Sequence, residues 1–243
     1  MKLDIIYSYY NQFNLLATYL NHWNNNISEE TRKNINFIIV DDNSTYKASD
    51  IIKENNINCN LQCFYIKEDK GFNLSGARNL GVEKSKTENI LIVDFDLVIY
   101  EDLIKEILNW ELSEDICYRF KQTTVKGFDF KRNRYKFKVL NSTMYLKKSL
   151  YIKAGGTDED FAGNYGYEDV YLRTYLKQVL NVKFKLINKN KLYQLPEGKS
   201  KQVDRNNGPL KNKKILDKKI KTLSRPTDNI RFKYQLEYEK FIS

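Results

Sequence analysis

Short, nearly unbroken apolar runs punctuate the first half of the chain. They fall at Leu3–Tyr9 (LDIIYSY), Asn36–Val40 (NFIIV), Leu61–Ile66 and Ile90–Val93, each of a length that suits a strand buried on both faces. Between them the apolar spacing stretches. Phe13, Leu16, Leu20 and Trp23 mark one face of a helix over 13–24, and further helices are predicted over 48–54, 74–83 and 101–110. Strands alternating with helices predict a mostly parallel α/β sheet flanked by helices. Right-handed crossovers bring the carboxyl ends of such strands to one edge, where ligands bind in open α/β sheets. The polar residues predicted at that edge are Ser8, Tyr10, Asn11, Asp41, Asp42, Asp94 and Asp96.

After residue 115 the rhythm changes. Strands are predicted at 116–120, 136–140 and 143–146, with helices over 148–154 and 168–180. Beyond Leu186 the chain turns polar and basic, with Pro196, Gly198, Gly208 and Pro209. A boundary is therefore expected near 190: a catalytic-type domain over 1–190 and a basic, partly helical C-terminal extension over 191–243. No internal repeat is visible.

Composition sharpens this picture in two places. The net charge of +10 is concentrated late: residues 183–243 hold 17 Lys plus Arg against 6 acids, so the preceding body is near neutral. Within the extension, Ile215, Leu216, Ile220 and Leu223 give a helical apolar stripe among lysines. That pattern reads as a helix packed on the body or as an attachment to an anionic surface such as a membrane or acidic glycan. Nucleic acid is not expected, since no binding motif accompanies the charge. Lys131, Arg132, Arg134, Lys136 and Lys138 could extend the basic face or form a mobile loop over the strand-end edge. Cys59, Cys63 and Cys117 are odd in number and without scaffold spacing, which suggests reduced thiols and a cytoplasmic setting. No apolar stretch is long enough to span a bilayer, and the N-terminus lacks a signal-peptide core.

Four segments carry candidate chemistry. Asp94-Phe95-Asp96 ends an apolar strand; one carboxylate can meet a ribose while the other binds a hard cation that also grips a diphosphate. Asp41-Asp42-Asn43-Ser44 suits an Asx turn and also offers a carboxylate to a nucleobase N–H. Ser75-Gly76-Ala77-Arg78 opens a helix with small residues and a cationic fork, which reads either as a ligand contact or as a solvent-facing arginine. Glu168-Asp169 stands at a helix start, where acids complement the dipole and where one could act as a general base toward a sugar hydroxyl.

In order and spacing these segments resemble the family 2 glycosyltransferases of the GT-A fold over roughly residues 1–180. Ile6 to Asn11 resembles the end of that family's first strand, Val40 to Ser44 its V-D-D-x-S segment, Leu74 to Gly81 its A-R-N-x-G helix and Asp94 to Asp96 its D-x-D. Gly155 to Phe161 resembles its G-G-x-D-E-x-F acceptor-side segment. Gly166 to Asp169 resembles an E-D motif found in galactosyl- and N-acetylgalactosaminyltransferase relatives. The resemblance implies an inverting, metal-dependent transfer from a nucleotide-sugar to an acceptor hydroxyl on a glycan, lipid or protein. A UDP-hexose donor of galactose or N-acetylhexosamine type and Mn²⁺ or Mg²⁺ are implied with it. By the same resemblance Ser8, Tyr10 and Asp42 hold the base, Arg78 lies near base or diphosphate, Asp94 meets the ribose and Asp96, with Asp94, binds the metal. Asp169 is the base and Glu168 binds a sugar hydroxyl. One departure stands out: relatives supply a late His to the metal, whereas the only His here is the early His22, with Gln194 the best late substitute. Two alternatives remain. One is a binding protein on a degenerate transferase body. The other is a sugar-phosphate nucleotidyltransferase, disfavoured because Ser8-Tyr9-Tyr10-Asn11-Gln12 replaces the Gly-rich basic loop that class needs.

Overall fold

The computed structural model describes residues 2–129, 134–187, 192–194, 208–226 and 229–242. An eight-stranded sheet runs in the order β10 (Tyr234–Lys240), β3 (Leu61–Ile66), β2 (Ile35–Asp41), β1 (Leu3–Tyr9), β4 (Asn89–Val93), β7 (Arg134–Lys147), β6 (Ile116–Asp129) and β8 (Lys183–Ile187). Its middle is parallel. β1 (Leu3–Tyr9) lies between β2 (Ile35–Asp41) and β4 (Asn89–Val93), with β3 (Leu61–Ile66) beside β2. Every residue of β2 is buried, as the unbroken apolar run requires of a strand covered on both faces. In register, Tyr9 is opposite Asp41 and Tyr7 is opposite Val93. Tyr10, Asp42 and Asp94 therefore leave the sheet at the same edge.

Helices α1 (Phe13–Asn25), α2 (Glu29–Asn34), α3 (Ala48–Lys53), α4 (Leu74–Lys84) and α5 (Glu101–Leu108) follow the strands. One apolar cluster, centred on Tyr7, Tyr19, Trp23, Phe37 and Leu103, fills one face of the sheet. A second, with Ile6, Ile38, Leu80, Ile92 and Leu172, fills the other. α4 lies close on β1: a Cβ on Gly81 would come within 2.4 Å of Ile6 Cγ2. A glycine there lets the helix bring Arg78 and Asn79 against the strand ends.

The second half departs from the expected strands. Residues 136–140 and 143–146 are one strand, β7 (Arg134–Lys147), paired antiparallel with β6 (Ile116–Asp129) in a long hairpin. Then come α6 (Lys148–Lys153), a 3₁₀ turn at Glu159–Phe161, α7 (Glu168–Gln178) and the edge strand β8 (Lys183–Ile187). β5 (Leu97–Ile99) and β9 (Leu192–Gln194) form a separate two-stranded ribbon.

The boundary expected at 190 does not divide two bodies. α8 (Gly208–Thr222) packs Leu216 against Phe161 and Tyr171, and β10 (Tyr234–Lys240) pairs antiparallel with β3. The extension closes the sheet edge, and polar composition hid this because β10 faces solvent at every third residue or so. Of the expected apolar stripe, Leu216 is buried and Ile215 and Leu223 pack partly against the same cluster, whereas Ile220 is exposed. Residues 131–133 and Pro196 lie outside the described residues, as do the side chains of 134–138 and of Gln194. Among the described residues no helix is long and apolar enough to cross a membrane.

Candidate active site

A cleft of about 540 Å³ opens at the carboxyl edge of the sheet. Ser8, Tyr10, Asp42, Asp94, Asp96, Glu168 and Asp169 all line it, so residues spread over most of the chain converge on one cavity. Arg78, to which the resemblance gave a place near base or diphosphate, is not on the wall.

The nucleobase-side wall is built from the ends of β1 and β2. Asp41 and Asp42 divide two tasks between them. Asp41 accepts from the Ser44 and Ala48 amides at 2.8 Å each, closing the turn and capping α3. Asp42 turns toward the cleft, its Oδ2 accepting from the Asn73 amide at 2.8 Å while its Oδ1 is buried without a partner. Ser8 Oγ is likewise buried without a partner. Such orphans are costly in a native interior and are characteristic of groups that await a ligand. Burial, with Asp41 and Asp69 nearby, pushes the Asp42 carboxyl up to about 7. Tyr10 stands half-buried at the mouth, its phenol raised by burial and by Asp69 and Asp42.

The Asp94-Phe95-Asp96 turn is fixed by its middle residue. Phe95 inserts into an aromatic cluster, with ring centroids 5.1 Å from Tyr19, 5.3 Å from Tyr9 and 5.8 Å from Tyr7. Tyr19 Oη donates to the Phe95 carbonyl at 2.7 Å. With Phe95 anchored on the apolar side, both flanking carboxylates are left on the cleft wall. Asp94 is held on both oxygens, by Arg78 Nη2 at 2.8 Å and by the Ser142 hydroxyl from β7.

Arg78 departs from both of its sequence readings. It neither faces solvent nor lines the cleft, but lies fully buried beneath it, 2.8 Å from Asp94 and 3.4 Å from Glu168. Burial works against its charge, and Asp94, Glu168 and Asp169 outweigh that, leaving the guanidinium pKa raised. One cation thus ties the β4 turn to the start of α7. The Glu168 carboxyl is raised to about 7, because burial outweighs the attraction of Arg78.

Glu168 and Asp169 begin α7 after Gly166 (φ +92) and Tyr167 (φ +74). A left-handed tyrosine is a strained conformation, and it turns the chain so that both acids meet the cleft. Asp169 Oδ2 lies 3.3 Å from Arg173 Nη2 one turn on. Two contributors escaped the sequence: Asn141 and Ser142 line the cleft from β7, and no motif marks either of them, whereas Tyr167 lines it from within the Gly166–Asp169 segment.

One expectation falls away from the cleft. Glu159 of the Gly155–Phe161 segment is not on the wall; it accepts from Asn79 Nδ2 and from the Ile230 and Arg231 amides, joining α4 to the C-terminal segment. His22 is structural. Its Nε2 donates to the Ile99 carbonyl at 3.1 Å and its Nδ1 accepts from Asn26.

The model of the glycosyl transferase family 2 matches residues 4–180. Among solved structures, the chain is similar to TarS of S. aureus, with 17% identity, 91% of this chain and 40% of that one covered, and a TM-score of 0.61. It is similar to GalNAc-T7 with UDP, GalNAc and Mn²⁺, with 14% identity, coverage of 89% and 48%, and a TM-score of 0.60. It is also similar to the mannosyltransferase PcManGT from Pyrobaculum calidifontis in complex with GDP-Man and Mn²⁺, with 16% identity, coverage of 78% and 55%, and a TM-score of 0.58. The chain spans about half the length of these structures, and at such identities the likeness shows the GT-A fold. Comparison with curated proteins by sequence finds no match. With the family model covering most of the sheet and the whole cleft-lining set from Ser8 to Asp169, the chain belongs to glycosyl transferase family 2.

Proposed function

We propose that the cleft binds a nucleoside-diphosphate sugar with a divalent cation and transfers the sugar, with inversion, to an acceptor hydroxyl. The observation that carries this reading is the pair of buried, unpartnered oxygens, Ser8 Oγ and Asp42 Oδ1, in the same cavity as Asp94 and Asp96. Ser8 can accept or donate and an ionised Asp42 can only accept, which suits the imide N–H of uracil; a UDP-hexose is the donor we favour. Tyr10 offers a ring at the mouth on which the base can stack.

The donor set also suits the cation. Among the described residues no three His, Cys, Asp or Glu side chains converge as a metal cage. Mg²⁺ and Mn²⁺ do not need one, since they are commonly held by one or two carboxylates together with substrate phosphates and water. Asp96, with Asp94 beside it, would hold the ion, which would supply a Lewis acid for the charge on the departing diphosphate. Asp169 takes the acceptor hydroxyl's proton as oxygen attacks the anomeric carbon opposite the leaving group. Glu168, at the base of the same wall, receives a sugar hydroxyl. The exposed lysines of α8 leave a peripheral contact with an anionic membrane, on a cytoplasmic face, as part of this reading.

Calorimetry with UDP and UDP-hexoses, with and without Mn²⁺, tests the donor half. Asp96→Ala should remove the Mn²⁺-dependent part of binding. Asp169→Asn should keep donor affinity within about twofold while lowering kcat by at least about a hundredfold, the scale of a lost general base. Near-normal transfer by Asp169→Asn would reject the assigned base.

A further inference from the structure

Beyond the cleft rim, two guanidinium groups share one neutral acceptor. Arg119 Nη2 from β6 and Arg173 Nη1 from α7, the latter at 2.9 Å, both donate to Asn141 Oδ1. Asn141 and Asp169, the residues these arginines touch, line the cleft itself. Arg173 has a partial counter-charge in Asp169, 3.3 Å away. Arg119 has no ion-pair partner among the described residues, and its Nε is buried with no hydrogen-bond acceptor. Burial and the neighbouring Arg173 push the Arg119 pKa down. Two like charges held together with one carboxylate between them leave an excess positive charge and open donor positions beside the residue read as the base.

Such a pair is an unfavourable arrangement unless something negative visits it. Guanidinium forks match carboxylate and phosphate oxygens in a planar, two-bond geometry. In sequence, the run that begins at Arg119 is basic: residues 119–138 hold eight Lys and Arg against one acid, Asp129.

We infer that Arg119 and Arg173 form an acceptor subsite for an anionic sugar or polyol, holding a carboxylate or phosphate a short distance from the hydroxyl that Asp169 deprotonates. This rests on the glycosyltransferase reading for the word acceptor; the anion site itself rests on the arginine geometry. Nothing is transferred to or from the anion. It binds beside Asp169 and offsets part of the positive charge of the arginine pair.

The test is calorimetric titration of the full chain, at fixed UDP and Mn²⁺, with methyl glucoside, methyl glucuronide and glucose 6-phosphate. The wild type should bind at least one anionic probe about tenfold more tightly than the neutral one, the scale of one or two charge-assisted hydrogen bonds. Preference for the glucuronide alone assigns a carboxylate, and preference for the phosphate alone assigns a phosphate ester. Arg119→Gln should erase the preference, and Arg119→Lys, which keeps charge without the fork, should retain only part of it. Equal binding of all three probes to the wild type, including no detectable binding of any, overturns the inference, as does a preference that survives Arg119→Gln. UDP titrated separately into the wild type reads the donor site. Failure of UDP to bind, with the anion preference intact, rejects the glycosyltransferase proposal and leaves the anion site standing.

Discussion

Arg78 ties together two carboxylates that would otherwise sit near one another with no cation between them. Replacing it with Met keeps most of the side-chain volume but leaves Glu168 buried and Asp94 with one partner fewer. Removing one member of a buried ion pair costs about 3–5 kcal/mol, and Arg78→Met should lower unfolding free energy by about 3 kcal/mol in a urea titration. Asp42 makes a prediction of a different kind. Its carboxyl is raised to about 7, so the folded protein holds that proton more tightly than the unfolded chain does. Its contribution to stability is therefore present at low pH and is lost as pH rises from the ordinary carboxyl range through about 7; Glu168, also raised to about 7, acts in the same direction. Donor affinity should move the other way. If ionised Asp42 accepts from the base, the competent fraction at pH 6 is about a tenth, and UDP affinity should fall about tenfold between pH 8 and pH 6. Asp42→Asn should flatten that profile; an unchanged profile would place the titration elsewhere.

At the level of elements, the entry to α7 depends on a helix more than forty residues downstream. Asn212 of α8 is fully buried, and its Nδ2 donates to the carbonyls of Phe161, Asn164 and Gly166. It thereby fixes the loop that carries Tyr165 and Tyr167 to the cleft wall. Asn212→Ala should release three carbonyls, raise KM for donor or acceptor at least about threefold and destabilise by about 1–3 kcal/mol, while Asn212→Asp, which lacks the donor, should not rescue either effect. Steady-state kinetics beside a thermal melt separates the two. This dependence also explains what the sequence could and could not disclose. The parallel strands were legible because burial on both faces leaves continuous apolar runs, and Asp42, Asp94, Asp96, Glu168 and Asp169 were legible because each directly follows or opens an element. Arg78 was visible as a residue but not as a buried tie, because its partners come from 16 and 90 positions away. Asn141, Ser142 and Arg119 lie in a hairpin whose alternating polar pattern says nothing about which residue faces a cavity.

Taken as one molecule, α8 and β10 are parts of the same body as the cleft. β10 covers the outer edge of β3, Glu159 is held by the Ile230 and Arg231 amides, and Lys219 lies 2.7 Å from both Asp158 and Asp160. A chain stopped after residue 190 should lose these together. It is expected to expose the β3 edge, unfold without a sharp transition and scatter light at concentrations where the longer chain stays clear. A sharp melt from the shortened chain would contradict this. The lysines on the outer face of α8 can be tested without truncation: changing Lys213, Lys214 and Lys218 to Ser should lower the unfolding free energy by no more than about 0.5 kcal/mol per substitution, as for surface positions generally. If the membrane contact proposed above exists, the same change should abolish co-sedimentation with phosphatidylserine vesicles.

The pairing of β10 with β3 also sets a timetable for synthesis. Ile66 has left the ribosome roughly 170 residues before its partner strand is complete, and at about 5–20 residues per second the sheet waits roughly ten to thirty seconds with that flank bare. During that interval the nascent chain offers a row of unsatisfied amides and carbonyls to any neighbour on the same polysome. Slowing translation between residues 67 and 233 should therefore lower the yield of properly folded protein, and a holdase that shields extended segments should restore it.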